Sequence, residues 1–175
     1  MFKVGDSVIY PQHGAAVIEG LQDREVGGET REYLVLKLTY GDLTLMVPRD
    51  NCQEVGIREV CSSDDVEGVF EILRTGESST QGNWSRRFKG NIERLQSGDI
   101  FQVAEVVRDL TVRDREKGLS AGEKRMLQRS RQILVSEVAT LSARLPELPL
   151  RRSSLVPGSL PRGRNVVKQL IDVVR

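Results

Sequence analysis

The spacing of apolar residues along this chain changes once, at about Glu59–Asp65, and no other feature constrains the fold as strongly. Before this point, apolar and polar residues alternate over short runs separated by turn residues, which is the pattern of β-strands. After it, apolar residues recur every three or four positions, which is the pattern of amphipathic helices. The sequence therefore predicts an α+β protein of two domains, with a β domain over residues 1–60 and an all-helical domain over residues 61–145.

The front domain is predicted to contain four or five short strands joined by tight turns. The clearest strands are expected at about 7–10, 15–21, 31–38 and 43–47. Gly27-Gly28, between the second and the third, is typical of a hairpin turn. Several short strands in so short a segment favour a small curled barrel over an open sheet with bare edges. A unit of this size leaves some strand edge exposed, and an exposed edge can pair with a strand of a partner.

Four helices are predicted in the second domain from their capping residues and apolar stripes. The first begins at Ser62–Asp65, and the third runs over about Asp99–Arg115. The fourth opens with Ser120-Ala121-Gly122-Glu123, a capping box in which two side chains bond to each other's backbone N–H groups. The second helix is capped by Asn83 and carries the chain's only tryptophan, Trp84, in its first turn. Trp84 is therefore expected at the positive end of a helix dipole.

Trp84 is followed by three cations, Arg86, Arg87 and Lys89. This combination suits double-helical DNA, because cations bind phosphates and a flat apolar ring fits an opened base step. The same helix has Trp84, Phe88, Ile92 and Leu95 at helical spacing, the pattern of an apolar stripe facing a core. Taken alone, these residues favour core packing of Trp84 over DNA contact.

The fourth helix carries a basic stripe formed by Lys124, Arg125, Arg129 and Arg131. Such a stripe can lie along a phosphate backbone together with the cations beside Trp84. A solvated helix face accounts for the same charges. Residues 1–60, by contrast, contain six Lys and Arg against ten Asp and Glu, a balance of −4. This acidic front domain should repel phosphate, so we expect it to bind a protein.

The sequence gives little reason to expect an enzyme, a cofactor or a metal. His13 is the only histidine, and no nucleotide-binding or nucleophile motif is present. Cys52 and Cys61 lack CxxC spacing, which indicates free thiols in a reducing compartment. No apolar run approaches the roughly 18 residues of a membrane span. We therefore expect a cytoplasmic protein that does not contact membranes.

Three motifs occur along the chain in one order: Val4-Gly5-Asp6-x-Val8-x-Tyr10-Pro11-x-His13-Gly14, Asn83-Trp84-Ser85-Arg86-Arg87 and Gly118-Leu119-Ser120-x-Gly122-Glu123-Lys124. Together they resemble the CarD/CdnL family of bacterial transcription regulators, over roughly residues 1–143. The resemblance implies a Tudor-like front domain that docks on the β subunit of RNA polymerase, in its N-terminal lobe region. It also implies a helical domain that binds promoter DNA at the upstream edge of the melted bubble.

The resemblance further implies that Trp84 enters the minor groove and stabilises the open complex. The residues expected to contact DNA are then Trp84, Arg86, Arg87, Lys89, Arg113, Lys124 and Arg125. For the polymerase contact we expect Arg24 and Met46. Met46 is a departure, because relatives have a basic residue where this chain has an apolar one. A sigma factor is a further candidate partner, and the protein is expected to be a monomer.

Residues 146–175 lie outside the resemblance and form a basic, proline-rich tail. We expect most of this tail to be disordered, with residues 165–175 able to form a short helix if a partner exists. Two other functions fit parts of the sequence. One is a protein–protein adaptor in which Trp84 is buried, and the other is a nucleoid protein that binds DNA without polymerase.

Overall fold

The structure, a computed structural model, describes residues 2–75, 83–144 and 164–174. A five-stranded antiparallel sheet comes first and is followed by helices, which confirms the predicted α+β class with two domains. The polar loop predicted over residues 77–82 lies outside the described residues, as do residue 145 and residues 146–163 and 175 of the tail.

The β domain consists of five strands in the order β4-β3-β2-β1-β5. Their bounds are Ser7–Tyr10 (β1), Gly14–Val26 (β2), Glu29–Leu38 (β3), Thr44–Pro48 (β4) and Arg58–Glu59 (β5). β2 is longer than predicted because it continues past a register shift at Ile18/Gly20 and pairs with β3 as a hairpin arm. β5, with only two residues, is too short to give a periodic signal in the sequence.

One face of this sheet forms a small apolar core. Ile18, Leu34, Leu36 and Val47 come from three adjacent strands and are buried together. Their alternation with exposed neighbours explains why β2, β3 and β4 adopt this register, since a one-residue slip would expose all of them. β4 and β5 end the strand order, so β4 is an edge strand whose outer side pairs with no other described strand. The expected exposed edge is therefore present.

The described residues of the helical part form five helices. Their bounds are Ser63–Arg74 (α1), Trp84–Gln96 (α2), Ile100–Lys117 (α3), Ala121–Arg144 (α4) and Arg164–Val174 (α5). α3 and α4 pack against each other, and α1 and α2 pack on α3 around a core that includes Phe70, Val107 and Leu134. No helix among the described residues is both long enough and apolar enough to cross a membrane.

Residues 164–174 form a helix, α5. The sequence predicts a short helix over residues 165–175 if a partner exists, and α5 packs on the protein's own helical domain. Val166 and Leu170 are fully buried against a surface formed by α1, α3 and α4. Burial of these two aliphatic side chains stabilises a helix that would be marginal in water if it were isolated.

The two domains meet where the turn between β1 and β2 packs on α4. Gly14 in this turn has a positive φ of 86°, and a Cβ atom there would lie 2.4 Å from Ser136 Oγ. The backbone N–H of Ala15 donates to that same hydroxyl at 3.1 Å. Nearby, Arg129 Nε donates to the carbonyl oxygen of Gln12 at 2.9 Å. Glycine is thus required at position 14 both by its φ and by the close approach of α4.

A partly buried ion pair also joins the domains. Arg58 of β5 donates two hydrogen bonds to the carboxylate of Glu137 on α4, at 2.6 and 2.9 Å. Arg58 Nε donates to the carbonyl of Gly98 at 2.7 Å, and the Cys61 N–H donates to Glu137 at 3.0 Å. Burial lowers the pKa of Arg58, but the hydrogen bonds and charge of Glu137 outweigh it, so the pKa lies above its usual value. Arg58 therefore keeps its charge, and its hydrogen bonds to Glu137 and to Gly98 hold the domains in one arrangement.

Candidate nucleic-acid interface

Trp84 is the first residue of α2, as its cap predicts. The Asn83 side chain accepts a hydrogen bond from the Arg86 N–H at 3.0 Å, which fixes the start of the helix. Along the predicted apolar stripe, Leu95 is buried and Phe88 is half-buried, whereas Trp84 is 47% exposed. The apolar stripe therefore packs into the core near the C-terminal end of α2 and is exposed at the N-terminal end of this helix. Burial of Trp84 in the core, which the spacing favoured, is wrong.

Two contacts hold the exposed indole ring. It stacks on Phe88, with ring centroids 5.0 Å apart and planes inclined by 21°. Its Nε1–H donates to the hydroxyl oxygen of Ser120 at 3.3 Å. Phe88 in turn lies against Gly122, where an added Cβ would be 3.3 Å from the phenyl ring. Because Trp84 begins α2 and Ser120 precedes α4, the positive ends of two helix dipoles meet beside the ring, which favours anions there.

The capping box predicted at the start of α4 lies directly behind this contact. The backbone N–H and the hydroxyl of Ser120 donate to Glu123 Oε2, at 3.0 and 2.7 Å, and the Glu123 N–H donates back to the hydroxyl at 3.3 Å. Glu123 is only 2% exposed, and charged groups of Arg87 and Arg113 lie 3.8 and 3.5 Å from its carboxylate. Burial raises the pKa of Glu123, but the Ser120 hydrogen bonds and the two arginines outweigh it, so the net shift is downward.

The cations predicted to bind DNA fall into two groups. Arg87 and Arg113 have side chains only 12% and 29% exposed and face Glu123. Arg86, Lys89, Lys124 and Arg125 are exposed around Trp84 and the start of α4. Lys89 lies 3.9 Å from Glu93, one helical turn away, while the other three make no ion pair with any described residue. The exposed group is the one free to meet a phosphate backbone.

The basic stripe of α4 does not continue as a free surface beyond Arg125. Arg129 is held by the carbonyl of Gln12, and Arg131 donates to the hydroxyl of Thr111 at 3.3 Å. Both arginines therefore serve partly to pack α4 against its neighbours, and Arg129 stays exposed while it does so.

The two residues predicted to contact polymerase lie on the outward face of the sheet. Arg24 is exposed on β2, opposite Arg31 of β3, and Met46 is partly buried on β4, opposite Val35 of β3. Arg31 and Val35 are four residues apart, so Arg24 and Met46 are separated along the strands by roughly 13 Å. Met46, Val35 and Gly20 form a cross-strand row that is apolar and ends at the β4 edge.

Comparison with known proteins matches both domains. Residues 2–61 match the family model of the CarD-like/TRCF RID domain, and residues 68–146 match that of the CarD C-terminal domain. The chain is 35% identical over 141 residues to "Putative transcription factor YdeB" of Bacillus subtilis (strain 168), an alignment that spans 81% of this chain and 92% of the relative. The chain belongs to the CarD family. Its role is therefore in the regulation of transcription.

The match to the CarD C-terminal domain includes Trp84, Phe88 and Ser120 but ends before α5, so α5 lies outside both matched domains. The sequence identifies Ser120 and Glu123 as a capping box and as part of the third family motif, and does not place them next to Trp84. Thirty-six positions separate Ser120 from Trp84. Local patterns reveal a cap because its partners are three residues apart, and they carry no signal for a contact made by packing two helices together.

Proposed function

We propose that this CarD-family protein binds RNA polymerase through its β domain and promoter DNA through its helical domain, and that Trp84 stabilises the open complex as a wedge at the upstream edge of the bubble. The observation that carries the proposal is a half-exposed tryptophan, held by Phe88 and Ser120 at the meeting point of two helix N-termini and surrounded by exposed cations. A ring needed only for the core would not be left 47% exposed.

Two kinds of interaction contribute to the proposed DNA contact, namely the charge of the exposed cations and the flat apolar ring of Trp84. Arg86, Lys89, Lys124 and Arg125 supply sequence-independent attraction to phosphates, which weakens as salt concentration rises. Trp84 supplies an apolar surface for a base step that is already unstacked at the bubble edge, where the cost of opening has been met. A factor shifts the opening equilibrium only by binding one state better than the other. A preference of about 1–3 kcal/mol for the open state would change its population about 5- to 150-fold.

The polymerase contact is supported by the match of the β domain to the CarD-like/TRCF RID domain. The β4 edge can add to a partner's sheet through backbone hydrogen bonds, and the Met46 row supplies apolar contact next to it. We assign this surface to the N-terminal lobe region of the polymerase β subunit, with a sigma factor as a further neighbour. Tethering raises the local concentration of the helical domain at the promoter, so a weak DNA contact is sufficient.

The ion pair between Arg58 and Glu137 connects the two contacts. Because it holds β5 against α4, docking of the β domain on polymerase also fixes the direction in which α4 and the adjoining Trp84 point. The protein therefore delivers Trp84 to a defined place along the promoter rather than at the end of a flexible linker.

The deciding experiment measures the lifetime of open complexes on a linear promoter fragment with bacterial RNA polymerase holoenzyme. We expect the wild type to lengthen this lifetime and Trp84→Ala to remove most of the gain at equal polymerase occupancy. Arg24→Ala serves as the matched variant, because it should lower polymerase occupancy and leave the lifetime of fully occupied complexes unchanged. Equal lifetimes with wild type and Trp84→Ala would reject the wedge and leave a protein–protein adaptor as the function.

A further inference from the structure

We infer that Ser120 and Glu123 are positioning residues for Trp84, which hold the indole ring in one orientation before DNA is bound. This inference rests on the proposed function, since it concerns the same site. It assigns to the capping box of α4 a second role besides starting a helix, and to Arg87 and Arg113 a role other than phosphate binding.

The hydrogen bonds at Ser120 give the first argument. The hydroxyl proton is donated to Glu123 Oε2 at 2.7 Å, so the oxygen lone pairs are left to accept. They accept from the Glu123 N–H at 3.3 Å and from the indole N–H of Trp84 at 3.3 Å. Because an indole nitrogen can only donate, the orientation that Glu123 imposes on the hydroxyl is the one that Trp84 requires. The carboxylate therefore acts on the ring through the serine.

The charge of Glu123 gives the second argument. A buried carboxylate behind a DNA-binding surface is unfavourable by desolvation and would repel phosphates unless it is neutralised. Arg87 and Arg113 approach it from α2 and α3, and both side chains are mostly buried there. The Ser120 hydrogen bonds and, to a smaller extent, the charges of Arg113 and Arg87 outweigh the effect of burial and lower the pKa of Glu123. The two arginines thus support the positioning contact and are turned away from solvent.

Phe88 and Gly122 complete the support. The phenyl ring covers one face of the indole, and Gly122 leaves room for that ring where a Cβ would lie 3.3 Å from it. With stacking on one face and a hydrogen bond at its edge, the indole has little freedom to rotate. A side chain fixed in its bound orientation loses less conformational entropy on insertion, which strengthens binding without any new contact.

The experiment uses the fact that Trp84 is the only tryptophan of the full-length chain. Time-resolved fluorescence anisotropy of the free protein reports the motion of this one ring. We expect Ser120→Ala to add a fast depolarising component on the picosecond-to-nanosecond scale, and Ser120→Thr, which keeps the hydroxyl, to restore the slow wild-type decay. Ser62→Ala is the matched control, because it removes the equivalent serine from the capping box of α1, where the partner is Asp65.

The second measurement is the ratio of affinities for fork-junction DNA and for duplex DNA of the same sequence. We expect Ser120→Ala to lower this ratio about two- to tenfold, the effect of losing one hydrogen bond, and Ser120→Thr and Ser62→Ala to leave it unchanged. Unchanged ring motion in Ser120→Ala would overturn the inference, and so would a looser ring with an unchanged ratio. If Trp84→Ala also leaves the ratio of fork-junction to duplex affinity unchanged, the proposed wedge itself is rejected. The fluorescence anisotropy would then still decide whether Ser120 holds the ring.

Discussion

Glu123 and Glu137 lie on the same helix, α4, and both are almost completely buried beside arginines, yet their bonds differ in kind. Glu137 receives two direct hydrogen bonds from Arg58, a residue 79 positions away in the other domain. Glu123 receives its hydrogen bonds from Ser120, three positions away, while its arginines stay 3.5 and 3.8 Å distant. One carboxylate is bound through long-range pairing and the other through local capping.

Because of this difference, Glu137 mainly affects the stability of the whole protein, whereas Glu123 mainly affects the arrangement of the site around Trp84. Losing the Glu137 carboxylate leaves a charged arginine without its partner between two domains, which affects the whole structure. Losing the Glu123 charge leaves a helix start that a neutral side chain can still cap, and removes one counter-charge from Arg87 and Arg113. Substitutions at the two positions should therefore have effects of different size on different measurements.

The largest expected effect is on stability, from Glu137→Ala. We expect the free energy of unfolding to fall by about 2–4 kcal/mol, somewhat less than for a wholly buried pair because Arg58 is about a third exposed. Urea denaturation of the full-length protein measures this loss. Replacing Arg58 by Met in the Glu137→Ala background should recover part of it, because no unpaired charge then remains. A loss below about 1 kcal/mol would show that the domains are held mainly by other contacts.

A smaller effect is expected on DNA affinity, from Glu123→Gln. The glutamine can still accept the Ser120 hydrogen bonds, whereas Arg87 and Arg113 lose their counter-charge. We expect affinity for duplex DNA to rise and the slope of log K against log salt to steepen by about 1, the step expected if Arg113 gains a phosphate. Glu137→Ala, compared at a temperature where it remains folded, should leave this slope unchanged. An unchanged slope in Glu123→Gln would mean that the arginines stay packed without the carboxylate.

The sequence could predict the elements that depend on near neighbours. The alternation over Arg31–Leu38 and the caps at Ser62, Asn83 and Ser120 each predict an element within two residues of its observed start. Such features are satisfied by side chains only a few positions away, so their signal is local. The Asn83 cap predicts that Trp84 lies in the first turn of α2. The cap does not predict which residues surround Trp84.

The contacts that turn these elements into a site could not be predicted in this way. The pairs Trp84–Ser120 and Arg58–Glu137 depend on how helices and domains pack, and no spacing in the sequence records that packing. The same holds for α5, whose apolar residues show an amphipathic helix but not the surface that buries it. For Arg87 and Arg113, the resemblance implies DNA contact, and no local pattern indicates that both also face the buried Glu123.

The smallest expected effect is on the acid side of the stability curve, again at Glu123. Its pKa in the folded protein lies below its ordinary value of 4.5, so the ionised carboxylate contributes stability above about pH 4.5 and loses it as the pH falls through the folded pKa. Glu123→Gln carries no such titration. We expect the stability difference between wild type and Glu123→Gln to be constant at neutral pH and to shrink on acidification below about pH 4.5, as measured by urea denaturation at a series of pH values. A stability difference that stays constant down to pH 3 would contradict this expectation. It would mean that the Ser120 hydrogen bonds stabilise the protonated side chain as well as the charged one. Arg87 and Arg113 would then have no electrostatic part in holding Glu123 behind Trp84.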